Sequence, residues 1–93
     1  MLTAYADNGQ CMHITVKLFA LLREKAGTDT IHLQVPENAT VSQALEALQQ
    51  QHPILEPYFT TVRLSLRMEF VEADTVLSAG DEVALIPPVS GGM

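Results

Sequence analysis

TVSQALEALQQ, residues 40–50, is the stretch on which the reading of the whole chain turns. Thr40 and Gln43 stand three apart, the spacing at which a hydroxyl and a side-chain amide reciprocally satisfy backbone N–H groups at a helix start. Val41, Ala44, Leu45 and Leu48 then fall at i, i+3, i+4 and i+7, which draws one apolar stripe along a helix of about three turns. His52-Pro53 ends it, because proline disfavours helical geometry in the residue before it. A helix with one apolar stripe has to lay that stripe on a flat apolar partner, so the flanking segments are expected to build a sheet.

Upstream, Ile14, Val16 and Leu18 alternate with Thr15, Lys17 and Phe19, the pattern of a strand with one buried face. Leu21 to Ala26 suits a short helical turn closed by Gly27. Ile31, Leu33 and Val35 alternate with His32 and Gln34 in a second strand that Pro36 stops. Downstream, Ile54 to Thr61 reads as a connector with apolar anchors and a short helical turn. Val62, Leu64 and Leu66 alternate with Arg63, Ser65 and Arg67 as a third strand, and Phe70-Val71 reads as a short fourth. Ser78-Ala79-Gly80-Asp81 supplies turn chemistry, and Val83 to Ile86 makes a last strand stopped by Pro87-Pro88. Two strands, a helix and further strands, with no internal repeat, predict an α+β layer in which one main helix covers one face of a mixed sheet.

The chain has 93 residues, 47% of them apolar, enough for one core and too few for two. Residues 1–11 carry no clear period and read as a disordered lead-in, with Met12 a candidate start; residues 12–88 form the domain and 89–93 a tail. The polar, acidic N-terminus lacks the basic-then-apolar order of a secretory leader, and no run of 18 apolar residues is present, so a cytoplasmic protein is expected. The single cysteine, Cys11, cannot close an internal disulfide, which suits a reducing compartment. A formal charge of −6 argues against nucleic acid and anionic membranes as partners, since both repel such a domain before any contact forms. With no Lys/Arg cluster and no glycine-rich phosphate cradle, an anionic substrate is expected to be held by another chain.

The last strand runs into Pro87-Pro88-Val89-Ser90-Gly91-Gly92-Met93. Two prolines fix φ and favour an extended segment of about 3 Å per residue, directed away from the globule. Gly91 and Gly92 have no Cβ and fit a narrow channel; Val89 to Gly92 extended reach about 13 Å into one. A slim terminal glycine suits acyl chemistry. Its carboxylate becomes a good electrophile once it has attacked the α-phosphate of ATP, and a sulfur nucleophile then displaces AMP to leave a thiocarboxylate. Low bulk at Gly91 and Gly92 lets other proteins bring reacting atoms close to that carbonyl.

Gly80 to Gly92, GDEVALIPPVSGG, resembles the C-terminal signature of the MoaD family, the small subunit of molybdopterin synthase within the ThiS/MoaD ubiquitin-like sulfur carriers. Ile14 to Gly27, ITVKLFALLREKAG, resembles that family's opening strand and turn, and the similarity covers residues 12–92. The resemblance implies the β-grasp (ubiquitin-like) strand order. It implies a carrier, non-catalytic alone, that is adenylated by an E1-like enzyme of the MoeB type using ATP and binds no cofactor or metal itself. The charged tail then enters a MoaE-type large subunit, in a heterotetramer, and gives its sulfur to cyclic pyranopterin monophosphate for the dithiolene of molybdopterin. Carried over by position, Gly92 is the thiocarboxylate and acyl-adenylate site and Gly91 its slim neighbour. Phe19 and Ile86 match apolar positions that face the partner, and Pro87, Pro88 and Val89 belong to the inserted segment. Phe19 also alternates out of phase with Ile14, Val16 and Leu18, which puts it on the opposite sheet face.

Two positions depart from the family pattern. Arg67 stands where asparagine is common in the family, a departure expected to alter the local turn or a partner contact. Met93 follows the second glycine, and while it remains Gly92 is an ordinary amide that cannot be adenylated; its removal by a peptidase is the reading that restores the chemistry. Other uses of the same carrier stay open: ThiS-like sulfur delivery, ubiquitin-like conjugation to lysines, or a binding module that is never activated.

Remaining reactive residues read as structural. Cys11 has no base near it in sequence, and His13, His32 and His52 lack ligand-like spacing. Asp81-Glu82, adjacent on entering a strand, point to opposite faces and are expected to shape the turn and the acidic surface. Arg63 and Arg67, at i and i+4, are expected to share one strand face, as a small basic spot or a solvated, salt-bridged one.

Overall fold

The computed structural model describes residues 11–87; residues 1–10 and 88–93, including Pro88, Val89, Gly91 and Gly92, lie outside that range. The apolar alternation seen in the sequence produces β1 (Cys11–Leu18), β2 (Thr30–Pro36), β3 (Arg63–Leu66), β4 (Glu69–Phe70) and β5 (Glu82–Ile86). Two helices, α1 (Ala20–Ala26) and α2 (Val41–Gln51), and a 3-10 helix, Pro53–Tyr58, complete the order. The strands form one mixed sheet in the order β2-β1-β5-β3-β4. β1 and β5 run parallel at its centre and every other pairing is antiparallel. This is the β-grasp arrangement, α+β, that the resemblance implied.

The predicted capping box is present. Gln43 Oε1 accepts from the Thr40 N–H at 2.8 Å, and Thr40 Oγ1 accepts from the Gln43 N–H at 3.3 Å. The first two helical N–H groups are satisfied from elsewhere: Val41 donates to the Thr75 carbonyl and Ser42 to that of Ala73, at 2.9 and 2.8 Å. The loop between β4 and β5 therefore serves as part of the helix cap, which ties the last strand's approach to α2. Of the predicted stripe, Val41, Ala44 and Leu48 are buried and Leu45 is partly so. They cover Ile14, Leu33, Val16, Val83 and Leu85, whose side chains share one sheet face by register.

Three details differ from the sequence reading. β1 begins at Cys11, which pairs with Pro36, so this residue belongs to the sheet rather than to a lead-in. β4 is Glu69–Phe70, one residue earlier than Phe70-Val71. β3 stops at Leu66, and Arg67-Met68 form a two-residue turn in which both φ angles are positive, 54° and 71°. Positive φ at both central residues is the sense that matches the twist of a hairpin, and it normally selects Asn or Gly. Gly27 caps α1 with φ 79°, its N–H donating to the Arg23 carbonyl at 2.9 Å.

Because Leu48 is fully buried while Thr40 acts at the rim, their truncations separate core from cap. Leu48→Ala is expected to cost about 2 to 5 kcal/mol and Thr40→Ala about 1 kcal/mol, both read from urea denaturation midpoints at unchanged m-value.

Candidate functional site

Two features of the fold govern what this chain can offer another molecule. The first is where the tail leaves. β5 is hydrogen-bonded to β1 on one side and β3 on the other, so Ile86 and Pro87 stand at the end of a central strand rather than at a frayed edge. Both are partly buried, and Ile86 lies opposite Arg63. The predicted acyl-chemistry residues, Gly91 and Gly92, follow within a few residues but lie outside the described range, as do Pro88 and Val89.

The second is the sheet face that α2 does not cover. One row of residues crosses all five strands by register: Thr30, Lys17, Ala84, Ser65 and Phe70. Thr15 and Glu82 flank it on one side, Arg63 and Ile86 on the other. Phe19 ends β1 in extended geometry just ahead of α1 and is 45% exposed, on this face as its phase in the alternation predicted. Phe70 is 62% exposed and carries the Arg63 guanidinium over its ring, 4.2 Å from the centroid, a cation–π contact. Phe19 and Ile86 therefore share one open face with Phe70, which the sequence had suggested only as part of a strand.

The two arginines do not share one strand face as expected, although Arg67 is salt-bridged. That expectation needed Arg67 in the strand, and it lies in the turn instead. Its Nη2 donates to both carboxylate oxygens of Asp81 at 2.9 Å. Asp81 Oδ2 also accepts from the Ser78 N–H at 2.8 Å, closing the turn that leads into β5. Asp81 is only 9% exposed, so it is not part of an acidic surface; its carboxylate is consumed in holding two turns together. Glu82 remains exposed and meets Lys17 Nζ at 4.0 Å, and Lys17 Nζ also donates to Thr30 Oγ1 at 3.1 Å.

Among the described residues no cluster of three His, Cys, Asp or Glu could hold a metal ion, and no helix is long and apolar enough to cross a membrane. His13 and His32 are exposed on β1 and β2, opposite Gln34 and Thr15 respectively.

The comparisons with known proteins agree with this geometry. The model of the ThiS family matches residues 16–92. The molybdopterin synthase sulfur carrier subunit of Arabidopsis thaliana is 34% identical over 87 residues, 94% of this chain and 91% of that protein. Small archaeal modifier protein 1 of Haloferax volcanii is 40% identical over 84 residues, 82% of this chain and 97% of that protein. The crystal structure of that modifier superposes with a TM-score of 0.80 at 39% identity, covering 86% of this chain and 99% of its own.

The Arg67–Asp81 pair should be measurable as a coupling. In a double-mutant cycle of Arg67→Ala and Asp81→Ala, followed by urea denaturation, the coupling energy is expected near about 1 kcal/mol, held down by solvent around the exposed guanidinium. Additive single effects would mean that the pair contributes nothing.

Proposed function

The chain belongs to the ThiS family, and from that premise we propose that it is the sulfur carrier subunit of a molybdopterin synthase. The observation that carries this reading is a di-glycine, Gly91-Gly92, placed five residues after a central strand that ends at Ile86. Sulfur carriage needs a terminal carboxylate that two different proteins can reach in turn. A rigid root and a slim arm meet that need, because the root fixes where the arm starts and the glycines leave its carbonyl unobstructed.

The steps follow from the chemistry of that group. With Met93 removed, the Gly92 carboxylate attacks the α-phosphate of ATP on an E1-like activating enzyme of the MoeB type, and pyrophosphate leaves. A sulfur nucleophile attacks the acyl carbon, AMP leaves, and the product is a thiocarboxylate. The tail then enters a MoaE-type large subunit, which holds the anionic cyclic pyranopterin monophosphate; the thiocarboxylate sulfur bonds to a pterin carbon, and water then cleaves the acyl–sulfur bond, leaving the sulfur on the pterin and returning the Gly92 carboxylate. A dithiolene has two sulfurs, so two charged carriers are consumed for each product. The carrier itself binds neither ATP nor the pterin and works in the cytoplasm, in a heterotetramer with its large subunit. An acidic chain with no phosphate cradle fits that division of labour.

A second reading, a protein modifier joined to lysines through the same activated glycine, is favoured by the 40% identity to small archaeal modifier protein 1. Both readings share the adenylation step and part at the acceptor. The chain ending at Gly92 is therefore to be incubated with the activating enzyme, ATP and a sulfur donor, and its intact mass followed. The expected change is one oxygen replaced by one sulfur, and no change in a chain truncated at Gly91. Addition of a MoaE-type subunit and cyclic pyranopterin monophosphate is expected to yield molybdopterin. Lysine adducts in extract, with no molybdopterin from a competent large subunit, would move the assignment to the modifier.

A further inference from the structure

A second stretch of open apolar surface lies between α1 and the 3-10 helix, at the root of the tail. It holds a hollow of about 290 Å³, walled by Leu21 and Leu22 from α1, Tyr58 from the 3-10 helix, Val62 and Pro87. Leu22 is buried, whereas Leu21 is 44% exposed. Thr61 also lines it, and its hydroxyl is already engaged, donating to the Tyr58 carbonyl at 3.0 Å. The hollow therefore offers apolar contact with little demand for hydrogen bonds, at a size that suits one or two side chains rather than an enclosed small molecule.

Pro87 is both a wall of this hollow and the last described residue, so the segment that follows starts beside it. Continued in extended form, the chain brings Val89 onto the same side as Pro87, because alternate residues share a face. Val89 is the first apolar residue of the tail after the two prolines. Gly92 lies five residues beyond Pro87, an extended reach of about 16 Å. Gly91 and Gly92 accept the backbone angles of a reversal, so that reach is not confined to the outward direction.

Charge marks where the tail's end is received. Of the chain's five lysines and arginines, Lys17 and Arg67 meet Glu82 and Asp81, and Arg63 lies over the Phe70 ring. Arg23 and Lys25, both in the last turn of α1, are exposed and have no ion-pair partner among the described residues. Lys25 stands four residues after Leu21, so it lies on the same side of α1 one turn along, about 6 Å further down the axis. That is within the span of the tail. Arg23, two residues after Leu21, is turned to the other side of the helix. Glu24 is also exposed on the Leu21 side and limits how strongly an anion is held there.

Resting on the reading that the mature chain ends at Gly92, we propose that this groove is a seat for the chain's own tail. The Val89 side chain fills the hollow against Leu21 and Tyr58, and the terminal carboxylate, or the thiocarboxylate that replaces it, lies beside Lys25. The tether gives the tail a roughly millimolar effective concentration at its own groove, so contacts too weak to hold a separate peptide hold it for part of the time. A partner that needs the tail extended competes with the seat, and the seated fraction lowers that partner's apparent affinity in proportion.

The test uses the chain ending at Gly92, dilute enough that coupling between molecules is rare. A water-soluble carbodiimide activates the Gly92 carboxylate, the Lys25 amine attacks the acyl carbon, the urea leaves, and the chain becomes lighter by one water. Peptide mapping is expected to find Gly92 joined to Lys25 in preference to Lys17, the chain's other lysine. Val89→Ser is expected to lower the yield of that bridge about threefold or more, and high salt to lower it as well. In the untreated, unsubstituted chain a nuclear Overhauser contact between the Val89 methyls and the Tyr58 ring is expected, a readout that needs no variant to fold. No Gly92–Lys25 bridge, or one no more frequent than Gly92–Lys17, overturns the place of the carboxylate. A bridge that Val89→Ser leaves unchanged, or a missing Val89–Tyr58 contact, overturns the hollow. Every readout is taken on this chain alone, so a failure to gain sulfur from the activating enzyme overturns the sulfur-carrier reading while the seat is still decided by its own measurements.

Discussion

The last strand is inserted into the middle of the sheet, and the rest of the structure is arranged around that fact. β5 finds β1 on one side, from the start of the domain, and β3 on the other. Val83 and Leu85 are buried in the core, so the strand that leads to the tail also contributes to the domain's stability. A terminal arm attached to an edge strand would swing with local fraying. One attached to a central strand starts from a position fixed by hydrogen bonds on both sides.

The approach to that strand is correspondingly well held. The loop after β4 lends its carbonyls to the first turn of α2, the Thr15 N–H donates to the Asp81 carbonyl at 2.9 Å, and the Gly80 N–H donates to that of His13 at 2.8 Å. Helix cap, turn and sheet are thus joined in one hydrogen-bonded circuit that begins in the middle of the sequence and ends at the root of the tail. Among the described residues no buried side-chain nitrogen or oxygen lacks a partner.

Much of this was legible in the sequence because the signals were local. The capping box at Thr40 and Gln43, the stripe through Val41, Ala44 and Leu48, the glycine after Ala26 and the prolines at 36 and 53 act within one turn or one strand, and the structure places each as expected. Phe19 was placed on the open face by its phase alone. What escaped was set by contacts distant in sequence. Apolar alternation runs unbroken through Arg67, so nothing in a short window ends β3 at Leu66; the Arg67 side chain in that turn bonds a carboxylate fourteen residues later. Cys11 likewise joins β1 opposite Pro36, across the sheet, ahead of the alternation read from Ile14 onward. The meeting of two small residues, Ala84 and Ser65, on the open face is invisible to periodicity for the same reason, since they come from different strands.

Arg67 stands in the turn with the positive φ that asparagine or glycine usually supplies. Asparagine visits left-handed φ at little cost because its short side chain bonds to nearby backbone; arginine gains no such local help. At φ 54° it must be held by something else, and the nearly buried Asp81 supplies the contact through two hydrogen bonds to one nitrogen. Asp81 would order the Ser78 turn with either residue at position 67, through its bond from the Ser78 N–H. Arginine therefore adds a requirement to a carboxylate already in place, and in return extends a cation from the hairpin tip into the rim of the open face.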